Sequence, residues 1–167
     1  MSREGLVIRV FQTGDLPRLQ QITIDAFEPV SIDRNIEEQI GRPIHRHDWR
    51  WRKARHIAAD VQRDPQGTFV AEVDGQTVGY VTTWHDREEG IGYIPNLAVA
   101  HEYRGHGIGR RLLDHALDHF RRCGLEYARI ETLEQNPIGQ RLYPALGFRE
   151  IARQIHYGMP LDGFDTP

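Results

Sequence analysis

Asn96-Leu97-Ala98-Val99-Ala100-His101-Glu102-Tyr103-Arg104-Gly105-His106-Gly107-Ile108-Gly109-Arg110-Arg111 is the stretch from which this chain is read. An apolar run opens it, three glycines at alternate positions follow, and helical spacing begins at once after them. Residues without side chains let a ligand approach the backbone and expose consecutive N–H groups. The unpaired donors and positive dipole end of the following helix point to the same place. Arg104, Arg110 and Arg111 add cationic charge at that turn. Such a combination suits a pyrophosphate.

Spacing decides which phosphate ligand. A dinucleotide loop requires G-x-G-x-x-G, but Arg110 holds the third glycine position after Gly105 and Gly107. A P-loop requires G-x-x-x-x-G-K-[ST], and Arg110 again stands where the second glycine belongs. Both patterns fail.

Outward from the loop, Ile108 to Cys123 predicts an amphipathic helix with Ile108, Leu112, Leu113, Ala116, Leu117 and Phe120 inward, closed by Gly124. Upstream, Gly92–Val99 reads as a strand, preceded by a turn at Asp86–Gly90. Thr68–Val73 and Thr77–Thr83 read as a hairpin, because Asp74-Gly75 accepts the positive φ that both central turn positions demand. Leu6–Phe11 is a first strand, followed by a helix with Asp15 as N-cap and Pro17 in its first turn. Residues 28–66 are polar and rich in Arg, His and Trp; they predict a loop, a short helix from Asn35 and a longer one from Asp48 to Val61. Downstream come a strand over Tyr127–Leu133, a helix from Asn136 to Leu146 closed by Gly147, and a closing antiparallel pair, Phe148–Ile151 with Gln154–Leu161. The order gives an α+β fold, antiparallel strands first and then a strand–helix–strand unit with parallel strands.

The 167 residues suit a single domain, 1–167. A net charge of −3 gives no cause to expect nucleic acid or an anionic membrane as partner. No run approaches a membrane span, and Met1-Ser2-Arg3-Glu4-Gly5 carries charge where a signal peptide needs apolar residues. Cys123 is the one cysteine, so no internal disulfide forms. These features predict a cytoplasmic protein. His115 and His119 share a helix face, yet no third ligand is recognisable and His101-Glu102-Tyr103-Arg104 departs from H-E-x-x-H, so no metal is expected. The cluster His45–His56, with Trp49 and Trp51, suits either a solvated helix or a contact with acidic or aromatic substrates.

Arg104-x-x-Gly107-x-Gly109 resembles the coenzyme A loop of the GNAT superfamily of N-acetyltransferases, and Asn96-Leu97-Ala98-Val99 resembles the strand that lines the pantetheine arm. Asn136-Pro137-Ile138-Gly139-Gln140-Arg141-Leu142-Tyr143-Pro144-Ala145-Leu146-Gly147-Phe148 is similar to the family's Asn…Leu-Tyr-x-x-x-Gly-Phe element. His156–Leu161 resembles its last strand. The resemblance covers residues 91–161 and implies a three-layer α/β arrangement, with a mixed, mostly antiparallel sheet of about seven strands and about four helices. It implies acetyl-CoA as cosubstrate and direct transfer to an amine of a small molecule or peptide. Homodimers are common in the family, but no interface is legible here.

By the same resemblance, Val99 holds the pantetheine arm, and Arg104, Gly105, His106, Gly107, Ile108, Gly109 and Arg110 hold the pyrophosphate. An N–H of Leu97 or Ala98 polarises the thioester carbonyl. Tyr143 takes the general-acid position, and Asn136 contacts the coenzyme or caps its helix. Phe27, Glu28 and Trp49 fall where the family shapes its acceptor site. The glutamate that many members carry before the glycine loop has no counterpart, since Tyr93, Ile94, Pro95 and Asn96 stand there. Tyr93 or Asn96 positioning a water, Glu131, and Glu28 remain open as bases. The missing glutamate also motivates an alternative, a non-catalytic acyl-CoA-binding regulatory module.

Overall fold

Period-two alternation in the middle of the chain sends successive side chains to opposite faces of one sheet, and each face recruits its own helices. The computed structural model describes residues 5–161, so the charged opening Met1–Glu4 lies outside them. Five strands run in sequence order across the sheet: β1 (Leu6–Val10), β2 (Thr68–Val73), β3 (Gln76–Asp86), β4 (Ile91–Val99) and β5 (Tyr127–Ile130). The first four pair antiparallel, and β5 joins β4 in parallel. That parallel step requires a crossover, which α4 (Ile108–Arg122) supplies. The β2–β3 turn has the expected form, with Asp74 at φ 51° and Gly75 at φ 77°.

On one face Phe69, Ala71, Val81 and Ile94 pack against Leu112, Leu113, Ala116 and Phe120 of α4. Gly92 makes this fit possible, because a Cβ there would lie 2.6 Å from the Phe120 ring. On the other face Val70, Tyr80 and Ala98 pack against Leu19 and Ile22 of α1 (Leu16–Phe27) and Ile57 and Val61 of α3 (Trp49–Arg63). The buried Tyr80 hydroxyl is satisfied by Thr23 at 2.5 Å. Burial raises its pKa far above the ordinary phenol value.

Several expectations are corrected. Among the described residues the sheet has five strands rather than about seven, and five helices flank it rather than about four. Residues 148–151 and 154–161, expected as a closing strand pair, carry no strand, and Ile151, Ile155, Tyr157 and Met159 stand exposed. β5 ends at Ile130 rather than Leu133, which leaves it a four-residue edge strand. The short helix α2 (Ile32–Ile40) starts before Asn35, because the Ser31 hydroxyl caps it by accepting from the Arg34 N–H at 3.4 Å. α5 (Pro137–Ala145) completes the set. No helix among the described residues is long and apolar enough to cross a membrane.

Candidate active site

An irregularity in β4 opens the sheet. β4 pairs with β3 in one register at Asn96–Val99 and in another at Ile91–Tyr93, so it carries one extra residue around Pro95. Proline has no N–H to lose from a ladder and belongs at such a bulge. Pairing with β5 stops at Ile94 opposite Ile130. Past that point the two strands part, and a cleft lies between Leu97 and Val99 on one side and Ile130 and Thr132 on the other.

Backbone hydrogen bonds fix which groups face the opening. The Ala100 N–H donates to the Val78 carbonyl at 2.8 Å, toward β3. Alternation then turns Asn96 and Ala98 toward β3 and leaves the N–H groups of Leu97 and Val99 facing the opening. Of the two thioester donors expected, Leu97 alone has the required direction.

The glycine loop lies at the mouth of this opening. Gly105 and Gly107 both adopt left-handed backbone, at φ 80° and 79°, and a Cβ at either would meet nothing within 4 Å. Glycine is required there by conformation, not by crowding. Gly107 precedes the first turn of α4, and its carbonyl accepts from the Arg111 N–H at 3.1 Å. The N–H groups of Ile108, Gly109 and Arg110 have no intrahelical acceptor and are aimed at the loop. Arg104 is oriented by the backbone, its Nε donating to the Val99 carbonyl at 3.1 Å. Arg110 lines the cleft, whereas Arg111 turns away to the Leu6 carbonyl at 3.4 Å. His106 lies outside the lining, with Nδ1 3.3 Å from the Tyr103 carbonyl.

Across the opening, α5 presents Tyr143. Burial pushes its phenol up to about 12, so it stays protonated through the neutral range. The ring lies over Gly139, where a Cβ would come within 2.9 Å of Tyr143 Cε2, Thr132 Oγ1 and Asn136 Nδ2. Asn136 caps the helix, accepting from the Gly139 N–H at 3.2 Å, and donates to Thr132 at 2.9 Å. It also borders the cleft.

Other expected residues are not brought together. The Tyr93 ring stacks on Trp84 at 4.0 Å, and its hydroxyl donates to Glu89 at 3.0 Å, outside the cleft. That bond raises its pKa and opposes a role as base. Asn96 is buried on the opposite side, donating to Asp60 at 2.7 Å and Thr82 at 3.0 Å. Trp49 is buried under Arg50, and Glu28 pairs with Arg50 at 3.3 Å. Of the three acceptor contacts, Phe27 alone lines the cleft.

In their place α2 and α3 supply a group that sequence reading missed. Asp33 Oδ2 lies 3.4 Å from His56 Nδ1, while Arg52 holds Asp33 at 3.3 Å and Glu37 at 2.6 Å. Lys53 extends over the Phe27 ring at 4.2 Å, and burial lowers its pKa against the opposing pull of Asp33 and Asp60. Asp33, Lys53 and His56 all border the cleft. Helical spacing places Lys53 and His56 on neighbouring positions of α3 and Arg52 and His56 one turn apart, a signal that could have been read. The partnership with Asp33 crosses between helices and has no local signature.

Residues 21–148 match the model of the acetyltransferase (GNAT) family. The chain is 37% identical over 149 residues to an uncharacterized N-acetyltransferase of Methanocaldococcus jannaschii, covering 87% of this chain and 79% of that one. It is 31% identical over 159 residues to a mycothiol acetyltransferase of Thermomonospora curvata, covering 91% of this chain but 53% of that protein, so it spans about half of its length. The PaiA N-acetyltransferase from Thermoplasma acidophilum, solved in complex with coenzyme A, shares the fold with a TM-score of 0.69 at 19% identity, over 89% of this chain and 91% of that one.

Proposed function

This chain belongs to the acetyltransferase (GNAT) family, and we propose that it transfers an acetyl group from acetyl-CoA directly to an amine of a small molecule or peptide. The observation that carries this reading is the parting of β4 and β5 beyond Ile94 and Ile130, framed by the glycine loop and Tyr143. A thioester arm laid along Leu97 and Val99 replaces the missing strand pairing with its own amides. The loop N–H groups and Arg104 and Arg110 then meet the pyrophosphate.

His56, backed by Asp33, takes the proton from the attacking amine. The Leu97 N–H donates to the carbonyl oxygen as it gains negative charge. Tyr143 donates a hydrogen bond to the departing sulfur. With its pKa near 12, against about 8.5 for an ordinary thiol, the phenol stabilises the thiolate and keeps its own proton. The carbonyl–sulfur bond breaks, the carbon–nitrogen bond forms, and no acyl-enzyme is required. Cys123 lies outside the cleft and takes no part.

Calorimetric titration with acetyl-CoA tests the first half, with NAD and ATP as controls. Saturable binding of acetyl-CoA alone is expected. An amine panel followed by release of free CoA tests the second half. Binding without release for any amine would favour a sensor over an enzyme, and no binding would overturn the coenzyme reading.

A further inference from the structure

His119 in the last turn of α4 and Cys123, which caps its C-terminal end, stand four residues apart, with Cys123 Sγ 3.8 Å from His119 Nε2. His85, near the end of β3, reaches the same point. One ligand-capable atom from each of the three residues lies within 4.8 Å of those of the other two. His85 Nδ1 is buried and has no hydrogen-bond partner, the one such side-chain atom among the described residues. A buried polar atom left unpaired costs roughly 1–3 kcal/mol, so its persistence calls for a partner. Asp64 does not provide one as a hydrogen bond, because its Oδ2 is 4.0 Å from His85 Nδ1. Its other oxygen is held by the Gly67 N–H at 2.8 Å, which keeps the carboxylate beside the cluster.

We propose that His85, His119 and Cys123, with Asp64 beside them, form a binding site for a divalent transition-metal ion of the zinc class. Two imidazoles and a thiolate are a borderline-soft donor set, which favours zinc, cobalt or nickel over calcium or magnesium. Ligand atoms around a tetrahedral zinc ion stand about 3.4–3.7 Å apart, given bonds of about 2.0–2.3 Å. The flanking charges are Arg122 and His115 on α4 and Asp64 from the turn after α3.

None of the four residues borders the cleft. The ion therefore ties the last turn of α4 to β3 and does not enter the transfer reaction. The sequence expectation of no metal rested on His115 and His119 lacking a third ligand. The structure turns His115 edge-on to Phe69 at 4.5 Å, and brings the further ligands from β3 and from the C-cap of α4.

Titration of the untagged full chain with cobalt(II) under reducing conditions tests the site, followed by displacement with zinc(II). One equivalent is expected to give a thiolate-to-cobalt absorption band and visible bands of tetrahedral intensity. Cys123→Ser should abolish the thiolate band, and His85→Asn should weaken cobalt binding at least tenfold. Circular dichroism checks that each variant is folded. A His45→Ala/His47→Ala variant, altered elsewhere on the surface, should leave both the band and the affinity unchanged. Absence of the band in the unaltered protein, or its survival in Cys123→Ser, would overturn the proposal. For a variant that fails to fold, the zinc-induced rise in melting temperature of the unaltered protein decides. No rise would overturn the site.

Discussion

The glycine-loop wall of the cleft is made of backbone, whereas the wall from α2 and α3 is made of charged side chains. In the first, Gly105 and Gly107 hold left-handed conformations and α4 offers its unpaired N–H groups, so function follows from chain path. In the second, Arg52 braces Asp33 and Glu37, and Asp33 in turn meets His56. Backbone donors survive most substitutions, since every residue but proline has one. A side-chain relay does not. The first wall should therefore fail when it is filled or when its left-handed glycines are strained, and the second when a single member is removed.

Gly107→Trp fills the first wall and carries the largest expected effect. The site of a Cβ is open, so the indole projects into the cradle and leaves the core alone. Left-handed backbone adds a strain of about 1–2 kcal/mol. Acetyl-CoA affinity measured by calorimetry should drop at least about 100-fold, or roughly 3 kcal/mol. His56→Gln is the mirror experiment. Turnover should fall on the order of 100-fold while acetyl-CoA affinity stays unchanged. Comparable loss of coenzyme affinity in both variants would break the division between the walls.

The same division explains what could be read from the sequence. Gly105, Gly107 and Gly109 announce the loop, because glycine spacing is a local signal of chain path. Asp74-Gly75 and the apolar face of α4 were legible for the same reason, and both stand as expected. The proposed proton acceptor was not legible. Asp33 and His56 meet only because α2 folds against α3, and neither helix records the other in its own periodicity. Tyr93 and Asn96 were placed by counting along β4, but the extra residue at Pro95 resets which face each side chain takes. The closing strands misled for a related reason. Residues 148–161 have strand-like composition, yet β-propensity is realised only against a partner edge, and here Ile155 and Tyr157 remain exposed.

Tyr143 belongs to neither wall and sharpens the contrast from α5. Tyr143→Phe removes one hydrogen bond to a developing thiolate, a loss of about 1.5–3 kcal/mol, or roughly tenfold to a hundredfold in kcat. Because burial holds the phenol near 12, the deficit should be constant from neutral pH up to about pH 10. A deficit that vanished well below that value would assign the effect to another group.

Arg104→Ala should do least, and its size discriminates between charge and chain path as the basis of the loop. Its Nε is tied to the Val99 carbonyl, which leaves the rest of the guanidinium to face the cleft edge. A partly exposed charge contributes about 0.2–1 kcal/mol, so acetyl-CoA affinity should fall no more than about fivefold. That loss should shrink further as salt is raised, whereas the effect of Gly107→Trp should not. A 100-fold loss at Arg104 would mean that the loop binds through its arginine and that the glycines merely shape a turn. A small, salt-sensitive loss leaves the backbone as the binding element, because the N–H groups of Ile108, Gly109 and Arg110 are untouched by the substitution.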